Sequence, residues 1–190
     1  ELLSYDRPVV SSSGPGNQPT TGGNPISLAG RNLGINSYSG AARISGNLES
    51  VPSNVNGGTA CESNLWSSET SVVCLAPRGL LFEYGFIATV GILLSTRSQS
   101  LTYDAPVINV NILANGPTSG GSTLTVRGQS FGWLDISSKL RLGGTACMSS
   151  SWTSTSALFC QVPEGTNVMK SMSVSVQFLR ATLSRSFSYD

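Results

Sequence analysis

The clearest pattern of apolar and polar positions lies near the end of the chain. From Met172 to Phe178 every second residue is apolar, and the residues between them are serine or glutamine. A period of two residues is typical of a β-strand with one buried face. Shorter alternations occur at 124–126 and 140–142, with Gly-, Pro- and Asn-rich turn clusters between them. The pattern predicts an all-β chain built as antiparallel sandwiches of seven strands.

The same pattern occurs twice in the chain. The sequence Gly-Gly-Thr-Ala-Cys ends at Cys61 and again at Cys147, 86 residues later, and the segment ending in Tyr103-Asp104 corresponds to the segment ending in Tyr189-Asp190. A repeat of this length fixes the domain count. We therefore predict two copies of one domain, residues 7–104 and 105–190.

The first copy is 12 residues longer than the second, and the extra residues lie between Gly34 and Gly58. This region is rich in Ser, Gly and Asn, so we expect a surface loop at about Ile35–Val55, outside the sandwich core. Glu1–Asp6 aligns with the end of a repeat. We expect it to be the last strand of a preceding repeat, or a strand donated to a neighbouring chain, and the chain to be a slice of a longer array.

Each copy contains two cysteines thirteen positions apart. The equal spacing predicts the disulfides Cys61–Cys74 and Cys147–Cys160, each joining two neighbouring strands within its own domain. The alternative is a zinc site, which needs four close Cys, His or carboxylate ligands, but the chain has no histidine. Disulfides indicate an oxidising, extracellular setting. No signal peptide is visible in the sequence.

A tryptophan lies between the cysteines of each copy, at Trp66 and Trp152. One interpretation is that each indole ring packs over its own disulfide. The other is an exposed aromatic ring of the type that stacks on carbohydrate. The recurrence of the tryptophan in both copies fits either interpretation.

The order Gly-Pro-Thr-Ser-Gly-Gly, then Gly-x-x-Phe-Gly at 128–132, then the cysteine pair and a closing aromatic-x-Tyr resembles the IPT/TIG family. These are immunoglobulin-like domains of plexin-type receptors and some transcription factors. The resemblance covers nearly all of Asp104–Asp190 and, more loosely, Asp6–Asp104. It implies two tandem immunoglobulin-like sandwiches. It implies no active site, because the family is defined by its scaffold.

Composition argues against several functions. Only 11% of the residues are charged and the net charge is +1, so the basic surface that nucleic-acid binding requires is missing. The apolar stretch Phe82–Leu94 is interrupted by Glu83 and is too short to span a membrane as a helix. Without histidine, Ser-His and Cys-His catalysis is impossible. We expect neither enzyme activity nor a metal or cofactor, and no nucleic-acid partner or membrane insertion.

Serine and threonine are abundant, and in a secreted protein such composition favours O-linked sugar. The candidate attachment sites form two clusters in the first copy: Ser11, Ser12, Ser13, Thr20 and Thr21. The chain contains no Asn-x-Ser/Thr sequence, so N-linked sugar is not expected.

Three functions can be set against these features of the sequence. The first is a structural module of a long extracellular protein that forms a stalk, fibre or cell-surface filament such as a flagellar hair, with neighbouring copies as partners. Its interface would be an apolar outer face of the first copy: Leu81, Ile87, Leu93 and Leu94. The second is a ligand-binding ectodomain of a receptor or adhesin. The third, a transcription-factor dimerisation domain, conflicts with the disulfides and the low charge.

Overall fold

The structure, a computed structural model, describes residues 6–36, 40–45, 59–80, 84–135, 138–167 and 169–190. Within these ranges every regular element is a β-strand. The chain divides into two compact units, one ending at Tyr103 and the other beginning at Asp104, which we call domain 1 and domain 2. The all-β fold expected from the alternation is confirmed.

Nine strands are present among the described residues of domain 1. They are β1 (Val9–Gly14), β2 (Asn17–Gln18), β3 (Pro25–Arg31), β4 (Gly40–Ser45), β5 (Thr59–Ala60), β6 (Asn64–Ser68), β7 (Ser71–Leu75), β8 (Tyr84–Val90) and β9 (Leu93–Tyr103). One sheet has the order β1-β3-β7-β6, and the other has the order β2-β9-β8-β4-β5.

Domain 2 repeats this architecture strand for strand. Its described residues form β10 (Val107–Ile112), β11 (Asn115–Gly116), β12 (Thr123–Gln129), β13 (Lys139–Leu142), β14 (Thr145–Ala146), β15 (Ser149–Ser154), β16 (Ala157–Gln161), β17 (Lys170–Val176) and β18 (Leu179–Tyr189). Its sheets have the orders β10-β12-β16-β15 and β11-β18-β17-β13-β14.

The expectation of seven antiparallel strands per copy needs correction. The two-residue strands β2 and β5, and their counterparts β11 and β14, add to the seven longer strands. The pairs β2–β9 and β11–β18 are also parallel. Two residues are too few to show an alternation in the sequence, so the pattern could not reveal these strands.

The core of each domain lies between its two sheets. In domain 1, Ile26 and Leu28 of β3 and Phe86 and Ala88 of β8 are buried, whereas their neighbours along the strand are more exposed. Each strand therefore places alternate side chains inside. Burying one Leu, Ile or Phe side chain contributes about 1.5–3 kcal/mol, so these inward positions supply most of the driving force for folding.

The position of the insertion differs from the prediction. Residues 40–45 form β4, which pairs with β8 and buries Ala42 and Ile44 in the core. Arg43 pairs with Ala60 in domain 1 as Arg141 pairs with Ala146 in domain 2. The extra residues therefore belong to the β4–β5 connection, which domain 2 makes with Gly143 and Gly144 alone. The segment 46–58 lies outside the described residues, as does 1–5 of the predicted donor strand.

A tyrosine at the end of the last strand of each domain donates a hydrogen bond to a proline carbonyl oxygen. The Tyr103 hydroxyl donates to the Pro77 carbonyl oxygen at 2.8 Å, and the Tyr189 hydroxyl donates to the Pro163 carbonyl oxygen at 2.9 Å. A Cβ atom on Gly79 would lie 2.3 Å from the Tyr103 ring. Glycine at this position therefore lets the ring approach the backbone.

Candidate functional site

Each domain contains one disulfide, as predicted. The bonds join Cys61 to Cys74 and Cys147 to Cys160, with Cα–Cα distances of 5.4 and 5.6 Å. They do not join neighbouring strands, however. Cys74 belongs to β7 of one sheet, whereas Cys61 follows β5 of the other and its backbone N–H is bonded to Ala42 of β4. The disulfide therefore ties the β5–β6 connection, where the chain passes from one sheet to the other, to β7, and the next residue, Glu62, donates its backbone N–H to the Leu75 carbonyl oxygen of β7.

The structure favours the core interpretation of Trp66. The ring is half-buried and packs against the domain 1 core, and its indole N–H donates to the Gly34 carbonyl oxygen at 3.1 Å. Trp152 is likewise half-buried, but its indole nitrogen has no hydrogen-bond partner among the described residues. Neither ring stands free on the surface for stacking on a sugar.

Four residues were predicted to form an apolar outward face of domain 1, and the structure places two of them, Ile87 and Leu94, on that face. Ile87 lies between Arg43 and Thr96 on the outward side of its sheet, since its neighbours Phe86 and Ala88 point inward. Leu94 pairs with Thr89 on the same side and is 59% exposed. Leu93 lies on the opposite side because successive residues of a strand alternate. Leu81 lies outside the described residues.

Domain 2 is polar at the positions that match this face. Ser173 replaces Ile87 and Arg180 replaces Leu94, and an Arg180 guanidinium nitrogen donates to the Ser173 hydroxyl at 3.1 Å. The two outward faces therefore share one backbone but differ in chemistry: domain 1 has Ile87 and Leu94 where domain 2 has a hydrogen-bonded pair in which Arg180 is exposed and Ser173 is buried.

Sequence analysis missed a second exposed apolar feature, which occurs in both domains. Ile92 at the β8–β9 turn is 96% exposed, and Phe178 at the β17–β18 turn is 85% exposed. Both follow a residue with positive φ, Gly91 at 59° and Gln177 at 52°. Two-residue turns normally carry small polar residues. A large apolar residue at the same turn position in both copies was the available signal.

An apolar crevice opens beside the β8–β9 turn of domain 1. Its wall includes Leu33, Ala42, Val72 and Ala88, each at most 6% exposed, and it has room for about one water molecule. The crevice exists because Ala42 faces Ala88 across the β4–β8 pair, where domain 2 has Leu140 facing Val174.

The predicted O-glycosylation sites differ in accessibility. Ser11, Ser12 and Thr21 are exposed, whereas Ser13 is half-buried. Thr20 is only 2% exposed. The prediction at Thr20 is incompatible with the folded domain, because a sugar on its hydroxyl would have no space.

Tyrosines are the groups whose pKa values the fold changes most clearly. Burial raises the pKa of Tyr103, and the nearby Tyr84 and Glu62 raise it further. Burial also raises the pKa of Tyr84, against the opposing effect of its hydrogen bond to Leu80, and raises the pKa of Tyr189. These shifts keep the phenols neutral. They bear on stability, since the neutral Tyr103 and Tyr189 hydroxyls donate hydrogen bonds to the Pro77 and Pro163 carbonyl oxygens.

Within the described ranges, no three His, Cys, Asp or Glu side chains are grouped as metal ligands. In the same part of the chain, no helix has the length and apolar character to cross a membrane.

Two consecutive β-sandwiches, each with one internal disulfide, define a tandem immunoglobulin-like protein. Comparison with known families gives the same result. The family model described as IPT/TIG domain matches twice, over residues 8–105 and 106–189. The chain belongs to the IPT/TIG family.

Similar solved structures include a surface glycan-binding protein from Prevotella bryantii, with a TM-score of 0.51 and 13% identity over 96% of this chain and 43% of that chain. The extracellular region of plexin A4 matches with a TM-score of 0.44 and 19% identity, over 96% of this chain and 18% of that one. The present chain thus spans less than half of either. No curated protein sequence matches. At these identities the likeness shows the fold alone.

Proposed function

We propose that this chain is a structural repeat segment of an extracellular protein and acts by associating with neighbouring copies in a stalk, fibre or filament. The observation that carries the proposal is the apolar surface of domain 1: exposed Leu94 and half-buried Ile87 on the outward face, and exposed Ile92 at the adjoining turn. Neighbouring exposed aliphatic groups are typical of an interaction surface. Replacement of Ile87 by Ser173 and of Leu94 by Arg180 in domain 2 supports this, because the scaffold itself does not require the aliphatic side chains.

An extracellular setting is part of the proposal. Each domain contains a disulfide and the described chain has no free cysteine, a usage that suits an oxidising compartment. The role is mechanical or adhesive and not catalytic, since the sequence offers no histidine for acid–base chemistry. Exposed Ser11, Ser12 and Thr21 are the positions at which O-linked sugar is proposed.

Electron microscopy combined with light scattering tests this function. The wild-type chain should form extended oligomers as its concentration rises. The double variant Ile87→Ser, Leu94→Arg gives domain 1 the surface of domain 2 and should weaken association about tenfold or more, because two aliphatic side chains lose their burial. An unchanged circular dichroism spectrum is the control for folding. A wild-type chain that stays monomeric at every concentration would contradict the proposal.

A ligand-binding ectodomain is the second candidate. It is supported by exposed aromatic groups on domain 2, where Trp133 is 39% exposed and Phe178 is 85% exposed. Because one protein of the same fold is described as a surface glycan-binding protein, glycans are the first ligand class to test. Saturable binding of an oligosaccharide that is lost in Trp133→Ala would favour this candidate.

A further inference from the structure

The outward face of one sheet of domain 2 is cationic. Lys139 and Arg141 of β13 are exposed and alternate with buried leucines, so both point away from the core. Lys139 pairs with Ser175 of β17, and Ser175 pairs with Arg180 of β18, which is also exposed. Residues that pair directly across strands lie on the same side of a sheet. Three exposed cations therefore share one side of three adjacent strands, which we call the cationic face.

Hydroxyl groups lie between these cations. Ser173 and Ser175 are on the central strand β17, and Thr182 of β18 pairs with Ser173. Neighbouring strands are about 4.8 Å apart and alternate residues of one strand are about 7 Å apart, so the backbone positions of Lys139 and Arg141 are about 7 Å from each other and about 10 Å from β18. Cationic groups and hydroxyl groups thus alternate over a small flat surface.

The charge of the cationic face is not balanced within its own sheet. The strands β11, β13, β14, β17 and β18 contain no aspartate or glutamate. Arg141 Nη1 donates to the Gly144 carbonyl oxygen at 3.1 Å, and Arg180 Nη2 donates to the Ser173 hydroxyl at 3.1 Å. Both acceptors are uncharged, so these bonds hold the guanidinium groups in place without neutralising them. A guanidinium group that is already held loses less conformational freedom when it binds an anion.

An exposed aromatic ring lies at the end of the cationic face. Phe178 is at the β17–β18 turn, two residues before Arg180, and its side chain is 85% exposed. An aromatic ring offers an apolar surface on which the apolar side of a sugar ring can stack. Groups suited to acidic substituents, to hydroxyls and to the apolar side of a sugar therefore occur together on two strands and the turn that joins them.

Domain 1 lacks this combination at the equivalent positions. Three of its residues there are uncharged and aliphatic: Ala41 for Lys139, Leu94 for Arg180 and Ile92 for Phe178. Of the three cations, Arg141 alone has a cationic counterpart, Arg43. The same backbone folds with either set of side chains, so the cationic face is specific to domain 2 and is not a requirement of the scaffold.

We infer that the cationic face of domain 2 binds an acidic polysaccharide, with its three cations on sulfate or carboxylate groups and Phe178 on a sugar ring. A guanidinium fork matches two oxygens of one acidic group. The serine and threonine hydroxyls between the cations suit the hydroxyls of a sugar, and the extracellular setting that the disulfides indicate favours a polysaccharide over a nucleic acid. The site lies within domain 2 and does not depend on self-association through domain 1.

Titration calorimetry with oligosaccharides of one length tests this site, at a protein concentration where sedimentation shows a monomer. The probes are a sulfated heparin-type octasaccharide, a galacturonic acid octasaccharide that has carboxylates alone, and a neutral octasaccharide. At least one acidic probe should bind about tenfold or more tightly than the neutral one, and its affinity should fall as added salt screens the exposed charges. The acidic probe that binds more tightly identifies sulfate or carboxylate as the preferred group. Absence of binding to both acidic probes would overturn the inference.

The variant Lys139→Ala, Arg180→Leu gives the cationic face the residues of domain 1 and should weaken binding of the acidic probe about tenfold or more. The matched control is Arg31→Gln, Arg127→Ala. It removes two exposed cations from the other sheet of each domain and replaces each by its counterpart in the other repeat, so both variants have the same net charge. The control should bind nearly as tightly as the wild type. Equal loss in the two variants would show attraction to net charge alone and would overturn the site.

The aromatic ring separates a sugar from other anions. Phe178→Ile takes the residue of domain 1, keeps an apolar side chain and removes the ring, so it should weaken binding about threefold or more, whereas Phe178→Trp should not weaken it. Polyglutamate and single-stranded DNA of similar charge should bind more weakly than the better acidic sugar and should be insensitive to Phe178→Ile. Tighter binding of either, or full affinity of Phe178→Ile for the sugar, would overturn the choice of ligand. Self-association of the wild type is measured separately and is not decided by these titrations.

Discussion

Among the described residues, domain 1 and domain 2 have the same strands and the same strand pairings, but equivalent positions carry different side chains. Domain 1 has an Ala42–Ala88 pair inside and Ile87 and Leu94 outside, whereas domain 2 has a Leu140–Val174 pair inside and Ser173 and Arg180 outside. At these positions domain 1 has smaller core side chains and a more apolar outward side than domain 2. The positions that both domains keep therefore specify the fold, and the positions that differ are where a binding role has to be sought.

The largest expected effect comes from giving domain 2 the interior of domain 1. Leu140→Ala should destabilise domain 2 by about 2–5 kcal/mol, because a buried leucine leaves a cavity when truncated. Ala42→Leu is the reverse change and adds volume at a buried position with little free space, so it should destabilise domain 1 by a smaller amount, about 1–3 kcal/mol. Hydrogen exchange followed on β7 and β16 peptides reports each domain separately. Equal effects would mean that the two interiors are packed alike.

Removal of the disulfides should lower the stability of the two domains by similar amounts. Both bonds close loops of the same sequence separation, 13 residues, and the chain-entropy estimate for such a loop is about 3 kcal/mol. Cys61→Ser with Cys74→Ser, and Cys147→Ser with Cys160→Ser, should lower the stability of their own domain by similar amounts. Urea unfolding measures both. A much larger loss of stability in domain 1 would show that the folding of domain 1 depends more strongly on its disulfide than the folding of domain 2 does.

The sequence was sufficient to predict features that repeat at a fixed spacing. The domain pair and the disulfide pairing followed from the recurrence of Cys61 and Cys74 at Cys147 and Cys160. The start of the insertion was placed too early, because β4 lies between Ser- and Gly-rich residues and only its pairing with β8 shows that Ala42 and Ile44 are core positions.

The crevice could not be predicted from the sequence, because its position depends on the strand register. Ala42 and Ala88 are far apart in sequence, and only the β4–β8 pairing shows that two small residues face each other. The side of the sheet on which Leu93 lies also required the pairing with Val90. Local alternation gives relative directions along one strand, but it does not give the neighbour across the sheet.

High pH should destabilise domain 1 more steeply than domain 2. The pKa values of Tyr84 and Tyr103 are raised in folded domain 1, whereas in domain 2 Lys170 replaces Tyr84 and the raised pKa is that of Tyr189. A tyrosine in the unfolded chain loses its proton at about pH 10. Above that pH the unfolded state binds fewer protons than the folded state, so stability falls as pH rises towards the folded pKa.

Hydrogen exchange between pH 8 and 11 would show this difference once the intrinsic exchange rates are subtracted. Tyr84→Phe should bring the pH dependence of domain 1 closer to that of domain 2. A dependence that is the same in both domains, and unaffected by Tyr84→Phe, would contradict the explanation.

Exchanging the outward faces should have the smallest effect on folding and the clearest effect on association. Leu94 and Arg180 are exposed on the outward faces, and surface substitutions usually change stability by less than about 0.5 kcal/mol. Thermal unfolding of Leu94→Arg and of Arg180→Leu should therefore resemble the wild type. A loss of several degrees in either would mean that these side chains support the core.

Sedimentation equilibrium of the wild type and the Ile87→Ser, Leu94→Arg variant, at matched concentrations, tests the central claim most directly. The account predicts that the wild-type chain associates with increasing concentration and that the variant, which carries the residues of domain 2 at these two positions, associates more weakly by about tenfold or more. Identical association of the two chains, or a monomeric wild type, would contradict the claim that the apolar surface of domain 1 is where copies of this protein meet.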